Sequence, residues 1–168
     1  GATIMAIAEG NHDADLRNKV FTLSIAGMSI LGLLCSIFGY LFTDQLALLF
    51  GSDEALLPYA GEYMRIVLAG SIIFVLMYSA SVLIRGDHAP KTAMRITLFG
   101  NISNIVLDYV FVITFGWGIG GAAIATVIGA LFVVLGMGYH FLFGNHQARF
   151  VKNAWDLAAL KRILKNGF

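Results

Sequence analysis

Charged residues are scarce in this sequence of 168 residues, because Asp, Glu, Lys and Arg together make up only 12%. A soluble domain has about a quarter of its residues charged, so the composition argues against water as the main solvent. Hydrophobic residues make up 58%, and the mean hydropathy is +0.80. The stretches 20–43, 66–84 and 109–148 contain no Asp, Glu, Lys or Arg, whereas a membrane span needs ~20 mostly apolar residues. We therefore predict an all-α, polytopic membrane protein.

Cysteine is also nearly absent, and the single Cys35 excludes an internal disulfide. The sequence contains no Cys/His cluster with metal-ligand spacing and no Gly-rich phosphate loop after a strand pattern. We therefore predict neither a cofactor nor a metal. The Lys and Arg residues are scattered over several loops instead of one face, which argues against a nucleic-acid partner.

The apolar pattern divides the chain into four predicted transmembrane helices, near 16–43, 56–85, 90–115 and 120–143. The apolar start, 1–8, indicates the last turns of a truncated helix, so we interpret the chain as a fragment of a longer protein. Near the C-terminus, 154–166 mixes apolar and basic residues and predicts an amphipathic helix on the membrane surface. A solvated linker between two halves of a larger protein is an equally good interpretation.

The charges of the loops alternate along the chain. Ten of the eleven basic residues fall in every second loop or in the C-terminal tail: Arg17, Lys19, Arg85, Lys91, Arg95, Arg149, Lys152, Lys161, Arg162 and Lys165. Cytoplasmic loops collect Lys and Arg, so we place these segments, including the C-terminus, in the cytoplasm. The exception is Arg65, which we expect to pair with Glu62 one turn earlier. The pattern predicts a multi-pass protein of the plasma or inner membrane.

Small residues recur every four positions in two of the predicted helices: Gly121, Ala125 and Gly129 in the fourth, and Gly32 and Ser36 in the first. Such rows allow helix backbones to approach each other closely in a membrane. We expect both faces to contact other helices.

Asp108 is a lone acid within the apolar third helix. It belongs to a polar stripe whose spacing of four, three and four places its members on one helix face: Thr97, Asn101, Asn104 and Asp108. A charge at mid-membrane costs at least ~3 kcal/mol, so such a residue nearly always faces a cavity or a partner. Asp108 and Thr126 lie at equal offsets from the turn near Trp117. In an antiparallel hairpin both would lie at one depth, roughly 10–14 Å from the outer surface.

Asn104, Asp108 and Thr126 would together offer an amide carbonyl, a carboxylate and a hydroxyl. These are hard oxygen ligands, suited to H⁺ or Na⁺. A divalent ion is less favoured, because the sequence offers only one acid at this position. We therefore predict a cation site. The alternative is a hydrogen-bonded patch that only holds helices together, for which a carboxylate is an expensive choice.

Two motifs resemble the multidrug and toxic compound extrusion (MATE) transporters, particularly their DinF-like branch: NIVLDYVF at 104–111 and GIGGAAIAT at 118–126. The segments at 63–66 and 85–94 are also similar to that family. The resemblance implies that the four helices are helices three to six of a twelve-helix antiporter with two lobes. On this basis, residues 1–144 form a partial N-terminal lobe and residues 145–168 a cytoplasmic amphipathic linker.

The resemblance also implies an activity: export of drugs or other amphipathic organic compounds in exchange for H⁺ or Na⁺. The matching Asn104, Asp108 and Thr126 would form the cation site, and Tyr63 would join them. In the family, this site also uses an acid from the first helix, which this chain does not contain. The implied partners are a small organic substrate, the cation, the lipid bilayer and the remainder of the transporter.

Three other functions are weighed against this one. A flippase of lipids or lipid-linked oligosaccharides shares the architecture, but its cavity would need basic residues, and no Lys or Arg lies deep in a predicted span. An intramembrane enzyme needs two acids, or a Ser/His pair, at one depth. His140 lies near the opposite end of the membrane from Asp108, so we do not expect an enzyme. A channel lined by the polar stripe is the third alternative.

Overall fold

The computed structural model describes residues 2–53, 56–86, 88–144 and 149–151, and all regular structure in these ranges is helical. The helices are α1 (Ala2–Gly10), α2 (Ala14–Leu41), α3 (Thr43–Leu49), α4 (Leu57–Ala69), α5 (Ser71–Gly86), α6 (Pro90–Asp108) and α7 (Gly118–Phe143). A π-helical stretch, Tyr109–Thr114, continues α6, and we call it the π-segment. The predicted surface helix at 154–166 lies outside the described residues.

Among the described residues, three helices are long and apolar enough to cross a membrane: α2, α6 together with the π-segment, and α7. The helices α4 and α5, which meet at an angle of 51°, pass the same test of length and composition as a pair and would be a fourth span if the chain crosses the membrane through both. These spans confirm the predicted all-α, polytopic fold. The helix starts follow from local sequence, since the Asp13 carboxylate accepts a hydrogen bond from the Leu16 amide at 3.0 Å and Pro90 occupies the first turn of α6.

The prediction of one continuous helix over 56–85 is wrong, because the helix breaks at Gly70. A Cβ on Gly70 would lie 2.9 Å from a methyl group of Val127, so α7 packs directly against the break. The Ile72 amide lies in the first turn of α5, where amides have no acceptor within the helix. It donates to the Ser36 hydroxyl of α2 at 3.0 Å. Ser36 also hydrogen bonds to the Ser71 hydroxyl at 3.0 Å. A side chain of another helix thus satisfies the backbone at the break.

The C-terminal end of the third span, next to Trp117, also differs from the regular helix expected there. The π-segment begins directly after Asp108, and the Trp117 amide donates to the Phe111 carbonyl at 2.9 Å. The ring of Phe111 stacks on that of Trp117 with their centroids 5.0 Å apart. A Cβ on Gly121 would lie 3.2 Å from the Phe111 backbone. Short π-helical stretches often mark functional positions in helices.

The buried core lies at the end of the bundle where α2 begins and α7 ends. Its largest fully buried side chains come from four helices: Met5, Val20, Phe21, Ile84, Val133 and Met137. Phe21 contacts the rings of Phe141 and Phe150 at centroid distances of 4.8 Å. The Arg149 amide donates to the Asn18 side chain at 2.9 Å, which brings the chain after α7 back to the start of α2. Along the whole bundle, many large apolar side chains stay exposed, and extensive exposed apolar surface is typical of a protein that contacts a membrane or other protein segments.

Candidate functional site

The site is built on the antiparallel pair of α6 and α7, whose backbones approach closely along a row of glycines. A Cβ on Gly129 would lie 2.7 Å from the Asn104 Cβ, and one on Gly136 would lie 2.8 Å from a methyl of Ile96. Gly121 meets Phe111 in the same way. The predicted close contact of the small-residue row in α7 is confirmed, and so is that of α2, where a Cβ on Gly32 would lie 3.0 Å from the Ile72 Cα.

The way in which α6 and α7 pair determines which residues of α7 lie opposite Asp108. Gly121 faces Phe111 and Gly129 faces Asn104, so the part of α7 around Thr126 faces the part of α6 around Asp108. The structure therefore agrees with the predicted equal depth of Asp108 and Thr126. On the far side of α6, Ile102 and Val106 are exposed, which agrees with an apolar face toward lipid or a packing partner.

A small cavity of about 100 Å³ lies between α5, α6 and α7. Its polar lining consists of Asn101, Asn104 and Thr126, and Phe74 and Met77 contribute apolar wall. The structure thus brings the predicted Asn104 and Thr126 together. Asn101 belongs to the predicted polar stripe, but sequence reasoning did not include it in the site. Its spacing of three residues before Asn104 was the available signal.

Asp108 and Tyr63 are not among the residues that line this cavity. Asp108 lies one turn further along α6 than Asn104, and its Oδ1 atom is buried. Tyr63 lies in α4 with about a third of its surface exposed. The structure therefore joins two of the four predicted site residues in one cavity, with Asp108 adjacent along the same helix.

Two buried polar atoms at the site have no hydrogen-bond partner within the part of the chain that the structure describes. They are Asn104 Nδ2 and Asp108 Oδ1. The Thr126 hydroxyl donates to the Ala122 carbonyl at 2.9 Å, which leaves its oxygen lone pairs available to an electron-poor group. Buried polar atoms are nearly always paired, so these atoms suit a ligand, a water molecule or a further segment of protein. The amide of Asn104 can turn its oxygen toward the same space.

The predicted pair of Glu62 and Arg65 does not form. Arg65 Nη2 instead donates to both oxygens of Asp44, at 2.9 and 3.0 Å. The Asp44 carboxylate accepts both hydrogen bonds from the Arg65 guanidinium. Such a charge-assisted pair is stronger than the expected pair with Glu62, one turn away on the same helix. The Glu62 carboxylate lies against Gly120 in the first turn of α7. Within the described ranges, no three His, Cys, Asp or Glu side chains lie together as metal ligands.

Comparison with known proteins places this geometry in context. The model of the MatE family matches residues 1–110. The "Probable multidrug resistance protein NorM" of Thermotoga maritima is 33% identical over 65% of the chain and 25% of its own length. The "Protein DETOXIFICATION 43" of Arabidopsis thaliana is 32% identical over 82% of the chain and 26% of its own length. The chain thus spans about a quarter of these relatives.

Solved structures are similar over nearly the whole chain. A crystal structure of MATE in the bent conformation has a TM-score of 0.94 and 28% identity, over 99% of this chain and 38% of its own chain. An inward-facing multidrug resistance MATE family transporter has a TM-score of 0.91 and 28% identity, over 98% and 38%.

Proposed function

Because this chain belongs to the MatE family, we propose that it forms part of the N-terminal lobe of a secondary transporter, which exports organic compounds in exchange for H⁺ or Na⁺. Residues 1–144 would be the partial lobe and residues 145–168 a cytoplasmic linker. Relatives described as multidrug resistance proteins support the export of drug-like compounds. We assign the chain to the DinF-like branch on the strength of Asn104, Asp108 and Thr126.

One observation carries the proposed coupling. Asp108 places a buried, unpaired carboxylate oxygen inside a membrane-spanning helix, at the level of Thr126 and one turn from the cavity that holds Asn104. A carboxylate in that position is unfavourable unless a proton, a cation or a partner compensates it. On this proposal, oxygen atoms of Asn104, Asp108 and Thr126, from two helices, would stabilise one cation between them. Tyr63 would approach the same position from α4.

The coupling would arise because the site exists in two forms. With a proton or Na⁺ bound, Asn104, Asp108 and Thr126 can share it, and the hairpin of α6 and α7 stays closed around it. Without the cation, the negative carboxylate favours water or another partner and hence a different packing. A ligand that binds one of two packings better shifts the population toward it, which is how a cation gradient can drive alternating access.

The test is gradient-driven efflux from vesicles that contain the complete transporter. Asp108→Asn keeps the size of the side chain and removes its charge, and Asp15→Asn is the matched control because Asp15 is an exposed carboxylate paired with Lys19 at the surface. We expect Asp108→Asn to abolish the efflux of the lipophilic cation tetraphenylphosphonium that a H⁺ or Na⁺ gradient drives. We expect Asp15→Asn to retain this efflux. Full coupled efflux by the Asp108→Asn variant would refute the proposal.

A further inference from the structure

We propose that Gly129 is a positioning residue, which sets the spacing of Asn104 and Thr126 and thereby the affinity of the site for its cation. The inference rests on the proposed function of that site. Gly129 offers no side chain to the cation and would act through the backbone of α6.

The backbones of α6 and α7 lie in close contact at two glycines, Gly100 and Gly129. A Cβ on Gly129 would lie 2.7 Å from the Cβ and 3.3 Å from the Cα of Asn104, and 3.2 Å from the Gly100 carbonyl oxygen. In return, a Cβ on Gly100 would lie 2.9 Å from the Gly129 carbonyl oxygen. The contact is reciprocal and involves backbone on both sides, as in close glycine crossings of membrane helices.

This crossing point forms one wall of the cavity. Gly100 and Gly129 both line it, together with Asn104 and Thr126. Asn104 follows Gly100 by one helical turn and itself packs on Gly129, and Thr126 precedes Gly129 by three residues, about one turn. In a cavity of only about 100 Å³, a small separation of the two helices changes the distance between the two side chains.

Gly136 provides a contact of similar closeness with a different neighbour. A Cβ there would lie 2.8 Å from the Ile96 Cγ2 and no closer than 3.7 Å to any other atom. That methyl is the branch on the Ile96 Cβ, and a rotation about χ1 can move it without moving the α6 backbone. At Gly129 the obstructing atoms are the Cβ and Cα of Asn104, which move only if the α6 backbone moves. The same added methyl should therefore displace a predicted ligand at one position and only an apolar side chain at the other.

The experiment compares Gly129→Ala with Gly136→Ala in the complete transporter. Efflux of tetraphenylphosphonium is measured at increasing NaCl, with choline chloride keeping the ionic strength constant, and separately at increasing external H⁺. The readouts are the cation concentration that half-saturates efflux, the maximal efflux rate and the thermal melting temperature. For Gly129→Ala we expect a roughly tenfold higher half-saturating cation concentration, the size of effect seen when residues that orient a metal ligand are changed. For Gly136→Ala we expect less than about a twofold change on the same scale, with a fall in melting temperature no larger than that of Gly129→Ala.

A second variant covers the case in which Gly129→Ala does not fold. In the double variant of Gly100→Ala and Val133→Ala, the new Cβ occupies space vacated by the Val133 methyl that it would otherwise overlap, and it still presses on the Gly129 carbonyl. We expect it to fold and to shift the half-saturating concentration in the same direction as Gly129→Ala.

The outcomes separate the two claims. If the unaltered transporter shows no cation-dependent efflux, the proposed function fails and the inference falls with it. If efflux depends on the cation and Gly129→Ala shifts half-saturation no more than Gly136→Ala, the proposed function stands and the positioning role is overturned. A fall in melting temperature without any change in half-saturation would show that Gly129 serves packing alone.

Discussion

Replacing Ser36 by Ala should destabilise the transporter measurably, because Ser36 satisfies the break between α4 and α5. Its hydroxyl accepts from the Ile72 amide and bonds to Ser71, both at 3.0 Å, and only 8% of Ser36 is exposed. Leaving a buried donor unpaired costs about 1–3 kcal/mol, and side-chain hydrogen bonds between membrane helices reach at most ~1.7 kcal/mol. We expect a loss of about 1–2 kcal/mol in the free energy of unfolding.

Ser79→Ala is the matched control. Ser79 is also 8% exposed, but its hydroxyl donates to the Val75 carbonyl of its own helix at 2.7 Å, and that carbonyl lies within α5. Its loss should cost only about 0.5 kcal/mol, the low end of what one intramolecular hydrogen bond contributes, because no buried donor is left unpaired. Unfolding of both variants in mixed detergent micelles, monitored by circular dichroism, measures the difference. Equal stabilities of the two variants would refute the role given to Ser36 at the break.

Two further predictions concern topology and packing. Cysteines placed at Ser52 and His88 should react with a membrane-impermeant reagent from opposite sides of the membrane, Ser52 from outside, because the loop charges alternate; labelling of both from one side would contradict the four-span layout. Ala125→Leu should destabilise the protein by about 1–3 kcal/mol, since Ala125 is fully buried and a larger side chain overpacks the interface, whereas Val106→Leu on the exposed face of α6 should be nearly neutral in the same thermal unfolding assay.

Much of the fold was predictable because its signals are local. The lengths of the charge-free stretches predicted the spans, and the helical period placed Asn101, Asn104 and Asp108 on one face. The depth of Thr126 followed from counting across the turn at Trp117. Each inference needs only the rise per residue and the number of residues per turn.

The remainder depends on contacts between distant segments. The break at Gly70 is stable because Ser36 of another helix accepts the freed amide, and the partner of Arg65 is Asp44, 21 residues away in the chain. The π-segment is packed by Phe111 against Gly121 of α7. Such arrangements are decided by which side chains meet in the folded bundle, so neither periodicity nor composition predicts them.

The central claim is that Asp108 carries one coupling cation. The most direct test is the number of cations, H⁺ by a pH indicator or ²²Na⁺ by scintillation counting, that each complete transporter releases on binding a tetraphenylphosphonium substrate. We predict that Asp108→Asn releases one cation fewer than the unaltered protein and still binds the substrate. An unchanged number of released cations would contradict the claim, because Asp108 would then be a structural residue.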